Sequence, residues 1–188
     1  MISGAKLRVP VSEKDHVYGT KDALLELVEY GDYECPFCGQ VFDVIKRLQE
    51  TFSKDLKFVF RNFPLTQIHP DSMNAARAAE AAGLQHKFWE MHDMLYENQD
   101  RLDEEHLLSY AVALKLNLKR FAKDFADKKV DEKILSDLEN GARSGVNGTP
   151  NFYINGYRYS GDWSYESMSS VLRDVHESLL QRELKRAS

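Results

Sequence analysis

The chain has 188 residues, a net charge of −5 and a hydrophobic content of 43%. These values are typical of a single globular domain that is large enough to bury a sizeable core. The sequence holds no block of basic residues, which argues against a protein that binds nucleic acid. It also lacks any run of about 18 apolar residues, so we expect no membrane insertion.

The beginning of the chain lacks the apolar segment of a signal peptide. As written, the sequence is therefore expected to be cytoplasmic. A protein from which a signal peptide has been removed would show the same beginning, and its expected location would be periplasmic or extracytoplasmic.

Two predicted strands flank a predicted helix in the N-terminal part of the chain. Residues 23–31 are mostly apolar and end at Gly31, which is typical of a buried strand. Apolar residues then recur at spacings of three and four up to Phe52, which indicates an amphipathic helix. Residues 56–63 predict the second strand. Strand, helix and strand in this order form a βαβ unit.

Residues 70–145 have a helical pattern throughout and begin with an alanine-rich segment. Two aromatic stretches joined by Asn155-Gly156 then predict a β-hairpin, and a final amphipathic helix follows it. The last residues, from Gln181 onward, are polar and are expected to fray. This order predicts a βαβ half and a ββα half that share one sheet, with a helical subdomain inserted between them.

The two cysteines of the chain, Cys35 and Cys38, are separated only by Pro36 and Phe37. A structural zinc site needs about four ligands, and the histidines are scattered along the sequence, so we expect no metal site. A disulfide that closes so short a loop would add little stability. Two unreactive thiols that are neighbours by chance remain an alternative.

The position of the pair relative to the predicted helix favours redox chemistry. Cys35 precedes the helix, where unpaired backbone N–H groups and the helix dipole stabilise a thiolate. Cys38 lies one turn into the helix on the same side, where it can resolve a mixed disulfide formed by Cys35. A C-x-x-C pair in a βαβ unit therefore predicts a thiol–disulfide oxidoreductase.

The chain resembles the DsbA-like branch of the thioredoxin superfamily. The matching segments are LVEYGDYECPFC, RNFPL, HPDSMNAARAAEAAG, KFWEMHDMLYENQ and GVNGTPNFYINGYRYSG. The resemblance implies an α/β thioredoxin fold with a helical insertion, which is the order that periodicity also predicts. The expected boundaries are an N-terminal extension at 1–16, a thioredoxin-like domain at 17–64 and 146–184, and the helical insertion at 65–145.

The resemblance also implies a second element of the site. In the family, a cis-proline loop faces the C-x-x-C pair and holds the substrate chain. Thr149-Pro150 occupies the corresponding position in this sequence. The expected substrate-binding residues are therefore Pro36, Phe37, Thr149 and Pro150.

Glu29 is the third candidate residue. A charge in a nearly continuous apolar strand is costly unless it has a partner or a role. The family carries an acidic residue six positions before the first cysteine, and Glu29 occupies that position. Its expected role is to exchange protons with Cys38. The alternative is a carboxylate at the end of the strand that faces solvent.

Three functions are compatible with these residues. The first is a thiol–disulfide oxidoreductase that acts on protein thiols and disulfides without a cofactor, together with glutathione or an unidentified redox partner. The second is a glutathione-using transferase or isomerase of the kappa type, and the third is a non-redox interaction module. A transferase needs no resolving cysteine, so Cys38 favours the first. Phe37 stands where DsbA has a histidine, and we expect a less oxidising couple than that of DsbA.

Overall fold

The computed structural model describes residues 1–187. The strands are β1 (Ile2–Lys6), β2 (His16–Gly19), β3 (Leu25–Gly31), β4 (Leu56–Asn62), β5 (Asn151–Ile154) and β6 (Tyr157–Tyr159). The helices are α1 (Pro36–Thr51), α2 (Ser72–Gly83), α3 (Phe88–Glu97), α4 (Glu104–Ala113), α5 (Leu118–Phe125), α6 (Lys128–Ser144) and α7 (Tyr165–Ala187). In the described residues, none of these helices is both long and apolar enough to cross a membrane.

The strands form one mixed sheet in the order β1-β6-β5-β3-β4-β2. In β3 and in β4, every residue but one is buried. Strands that are buried at so many consecutive positions are typical of a sheet that is covered on both faces. The predicted α/β thioredoxin fold with its helical segment is confirmed.

The two edge strands come from the beginning of the chain, where the sequence pattern predicts no strand. β1 pairs antiparallel with β6, so that Ile2 lies opposite Tyr159. β2 pairs antiparallel with β4, so that His16 lies opposite Phe60. Edge strands are often short and partly exposed, so they lack the run of apolar residues that identifies a central strand.

The chain separates into two compact units. The first comprises Met1–Glu29, Val41–Phe60 and Asn151–Ser188, and the second comprises Tyr30–Gln40 and Arg61–Pro150. The first unit contains most of the sheet and α7. The second contains α2 to α6 and both cysteines. The domain boundaries expected from the sequence stay a prediction.

The second unit is built around α2, which packs against α3, α4, α5 and α6. Its alanines form the buried centre of this unit, each at most 1% exposed: Ala75, Ala76, Ala78, Ala79, Ala81 and Ala82. Small side chains let neighbouring helices approach closely, and alanine also has the highest helix propensity. α6 ends at Gly145, whose φ of 91° lies in the left-handed region that glycine adopts without strain.

The prediction that the C-terminal residues fray is wrong for residues 181–187. α7 continues through Ala187, and Ser188 lies outside the described residues. Lys185 and Arg186 lie in the last turn of α7, where positive charges interact favourably with the helix dipole.

Candidate active site

Cys35 and Cys38 lie at the N-terminus of α1. Cys35 directly precedes the helix, Pro36 is its first residue, and Cys38 is its third. Proline suits the first helical position, because its missing N–H would have no partner within the helix. Both cysteines are free thiols and are buried, with exposed fractions of 3% for Cys35 and 0% for Cys38.

The cysteine pair and the Thr149-Pro150 segment come together in the second unit. The Cys35 thiol donates to the carbonyl oxygen of Thr149, with 3.4 Å between sulfur and oxygen. The peptide bond between Thr149 and Pro150 is cis. The fold therefore places Thr149 beside the Cys35 sulfur, although the two residues are 114 positions apart in sequence.

The surroundings of Cys35 lower the pKa of its thiol to about 5. The largest cause is a hydrogen bond from Cys38, and burial opposes it. The Thr149 side chain and the backbone N–H groups of Cys38 and Phe37 lower the pKa further. The buried Thr149 hydroxyl makes no hydrogen bond within the protein in the thiol form. Ionisation of Cys35 provides it with an acceptor, which is why this hydroxyl favours the thiolate.

The residues between the cysteines are at the surface. Pro36 is exposed, and the Phe37 side chain is 53% exposed although it is aromatic. An exposed apolar side chain between two buried sulfurs is suited to contact a substrate chain. No histidine stands between the cysteines to donate a hydrogen bond to Cys35.

Glu29 belongs to the first unit and lies within β3. Its side chain is buried, with only 3% of the residue exposed. The alternative of a solvent-facing carboxylate at the strand end is therefore wrong. A buried carboxylate needs hydrogen-bonding or charged surroundings, which agrees with the reason for selecting this residue from the sequence.

The loop before Cys35 is held by a carboxylate that sequence reasoning missed. The Asp32 side chain is fully buried and accepts hydrogen bonds from His69 Nδ1 and the Leu65 backbone N–H, both at 2.8 Å, and from the Glu34 backbone N–H at 2.9 Å. The Cys35 backbone N–H donates to the Asp32 carbonyl oxygen at 3.1 Å. Asp32 thus links the loop that precedes Cys35 to the segment that follows β4.

Glu34 makes a second hydrogen-bonded link between these two segments. Its carboxylate accepts a hydrogen bond from the Asp71 backbone N–H at 2.7 Å, and burial raises its pKa. On the other side of the loop, the Tyr33 hydroxyl lies 3.1 Å from His92 Nδ1 of α3.

The sequence signal available for Asp32 was an acidic residue directly after a buried strand. Nothing in the local sequence identified the groups that donate hydrogen bonds to it.

A family model described as Thioredoxin matches residues 11–174 of the chain. A relative from Salinispora arenicola, named Na(+)/H(+) antiporter NhaA 1, is 43% identical over 167 residues, which cover 88% of this chain and 26% of that protein. A protein of the same name from Mycolicibacterium vanbaalenii is 42% identical to the chain, and the match covers 28% of that protein. The chain thus spans about a quarter of the length of these relatives. The antiport activity in their names is not carried over to it.

Solved structures share the fold at lower sequence identity. A thioredoxin-like oxidoreductase from Silicibacter pomeroyi superposes with a TM-score of 0.80 at 23% identity, covering 88% of this chain and 94% of that one. BdbD from Bacillus subtilis gives a TM-score of 0.78 at 24% identity, covering 88% and 95%. The thiol-disulfide exchange protein alpha-DsbA2 from Wolbachia pipientis gives 0.78 at 20% identity, covering 87% and 88%. From the family match over most of its length, and from this DsbA-like fold, the chain belongs to the thioredoxin family.

Proposed function

We propose that the chain is a thiol–disulfide oxidoreductase that exchanges a Cys35–Cys38 disulfide or dithiol with protein substrates. The observation that carries the proposal is the position of the two thiols at the N-terminus of α1, with the Thr149 carbonyl oxygen 3.4 Å from the Cys35 sulfur. In these surroundings the pKa of the Cys35 thiol is lowered to about 5. With this pKa, about 99% of Cys35 is thiolate at pH 7, whereas an ordinary cysteine is only a few per cent thiolate.

The reduced protein reacts in two displacement steps. The Cys35 thiolate attacks one sulfur of a substrate disulfide, so that a mixed disulfide forms and the other substrate sulfur leaves as a thiolate. Cys38 then loses its proton and attacks the Cys35 sulfur, which closes the Cys35–Cys38 disulfide and releases the second substrate thiolate. The substrate gains two electrons and the chain loses two. The reverse sequence oxidises a substrate dithiol.

Burial supports this order of attack. Cys38 has no exposed surface, and Cys35 retains 3%. A substrate sulfur therefore reaches Cys35 first, and Cys38 reacts only from within the protein.

The proposed substrate-binding surface combines Pro36 and Phe37 with Thr149 and Pro150. The Thr149 carbonyl lies next to the Cys35 sulfur, so a substrate chain held by this loop would have its disulfide beside the nucleophile. The helical segment, expected at 65–145, is proposed to shape the rest of this surface. Glutathione or an unidentified protein is the proposed source or acceptor of electrons.

The roles of the two cysteines predict opposite outcomes in a trapping experiment. Cys38→Ser should accumulate mixed disulfides with protein substrates, because Cys35 still attacks and nothing resolves the product. Cys35→Ser should trap few. Non-reducing electrophoresis of each variant, incubated with a disulfide-containing protein, measures the difference. Stronger trapping by Cys35→Ser would reverse the two roles, and trapping by neither would contradict the proposed function.

Glu29 is proposed to exchange protons with Cys38 during resolution. We expect Glu29→Gln to slow decay of the mixed disulfide about 100-fold, the lower end of the usual effect of a general base. Rapid-quench measurement of the decay separates this step from the first attack. Glu26→Gln is the matched control, because Glu26 also lies on β3 but pairs with Lys57 at 2.9 Å. Equal decay rates in the two variants would exclude the proposed role.

A further inference from the structure

Gln99 lies just after α3, and its side-chain amide contacts the backbone that leads into α1. Its Nε2 donates to the carbonyl oxygen of Tyr33 at 2.7 Å and to that of Cys35 at 2.9 Å. The two hydrogens of one amide group therefore hold two carbonyls on either side of Glu34. Both contacts lie within the second unit.

The Cys35 carbonyl also takes part in the first turn of α1. It accepts the Gly39 backbone N–H at 3.2 Å, which is the first i to i+4 hydrogen bond of the helix. Gln99 is thus a second donor to the carbonyl that closes this turn. The same turn carries the N–H groups of Phe37 and Cys38, which help to stabilise the Cys35 thiolate.

Gly39 makes room for the Gln99 amide. A Cβ added at position 39 would collide with Gln99 Oε1, and it would lie 2.7 Å from Cδ of the same side chain. Glycine is a poor residue for a helix interior, yet it stands inside α1 at this point. The close approach of the amide gives a steric reason for that glycine.

We propose that Gln99 is a positioning residue for the nucleophile, seated against Gly39. By holding the Tyr33 and Cys35 carbonyls, the amide keeps the first turn of α1 oriented so that its N–H groups point to the Cys35 sulfur. Gln99 acts through the backbone and not on the substrate. The inference rests on the proposed function, because its consequence is the reactivity of Cys35.

The direct test is the pKa of Cys35 in a Cys38→Ser background, measured from the ultraviolet absorbance of the thiolate as a function of pH. Gln99→Leu should raise this pKa by about 0.5 to 1 unit, which is about a three- to tenfold fall in the acid dissociation constant. Gln85→Leu is the matched control. Gln85 also donates from its amide to a backbone carbonyl, that of Asn117 at 3.3 Å, in a loop that holds neither cysteine. It should leave the pKa unchanged.

Gly39→Ala tests the same contact from the other side. Its methyl group would displace the flexible end of Gln99, so the pKa should rise as it does in Gln99→Leu. Alanine has a higher helix propensity than glycine. The Cys35 pKa should therefore rise in Gly39→Ala without a decrease in the melting temperature. The double variant should show no further shift, because two changes that remove one contact are not additive.

The outcomes separate this inference from the proposed function. If the Cys38→Ser protein has an ordinary cysteine pKa and traps no substrate, the proposed function fails. If it has a low pKa and traps substrate, but Gln99→Leu and Gly39→Ala both leave the pKa unchanged, only the role of Gln99 is overturned. If Gln99→Leu does not fold, Gly39→Ala decides by itself.

Discussion

We expect the reactivity of Cys35 toward an alkylating reagent to titrate with a midpoint near pH 5, where the pKa of its thiol lies. A free cysteine titrates near pH 8.5, so the displacement is about 3 to 4 units. Above the midpoint the rate should be nearly constant, and below it the rate should fall about tenfold per pH unit, because only the thiolate reacts. The midpoint is the informative quantity, since a thiolate of lower pKa is also a weaker nucleophile.

Variants at Cys38 test the cause of the shift. The hydrogen bond from Cys38 is the largest contribution to the lowered pKa of Cys35. Cys38→Ala should therefore raise the midpoint strongly, whereas Cys38→Ser retains a donor and should raise it less. Thr149→Val should cause a smaller rise, because it removes only one hydroxyl donor. A midpoint above about pH 7 in the unmodified reduced protein would contradict the stabilised thiolate.

The same shift links the stability of the reduced protein to pH. The pKa of Cys35 is lower in the folded than in the unfolded chain, so between about pH 5 and pH 8.5 the unfolded state binds more protons. The stabilisation is fully present above the unfolded pKa and is lost as the pH falls through the folded pKa. The oxidised protein has no thiolate. The melting temperature of the reduced protein should therefore rise relative to that of the oxidised protein as the pH rises through this range.

The reduction potential of the Cys35–Cys38 couple is expected to lie between those of DsbA and thioredoxin. Their nucleophilic cysteines have pKa values of about 3.5 and about 7, and their potentials are about −120 and −270 mV. The Cys35 pKa of about 5 lies between these two. Each pKa unit corresponds to about 1.4 kcal/mol, and thus to about 30 mV for two electrons, so we expect about −210 to −165 mV.

Equilibration in glutathione buffers, followed by quantification of free thiols, measures this potential. Phe37→His should make the couple more oxidising by some tens of millivolts, because a charge-assisted hydrogen bond is worth roughly 1.5–3 kcal/mol. An exposed control such as Leu135→His, on α6, should leave the potential unchanged. A wild-type reduction potential at or above that of DsbA would show that a residue outside the C-x-x-C segment, such as Thr149 or Glu29, determines the potential.

Much of the fold follows from local sequence. The strand expected at 23–31 is β3 at Leu25–Gly31, and the strand expected at 56–63 is β4 at Leu56–Asn62. Both are short segments in which apolar residues predominate. β1 and β2 were missed because short edge strands with exposed residues carry no such signal. The helical end of the chain was missed because a polar composition also suits an exposed helix.

By itself, the sequence determined the order of the elements and the position of Cys35 and Cys38 at the start of a helix. Both depend on spacings of a few residues, which local backbone geometry converts directly into structure. The family resemblance placed the Thr149-Pro150 loop opposite the pair, and the structure adds the contact of the Thr149 carbonyl with the Cys35 sulfur. The tertiary structure alone decided the other distant contacts: the His69 ring on Asp32 and the Gln99 amide on the Cys35 carbonyl. These hydrogen bonds join residues that are 37 to 114 positions apart. His69, Gln99 and Thr149 lie in the segments before, between and after the helices α2 to α6. Their positions depend on how those helices pack, and no local pattern in the sequence encodes that packing.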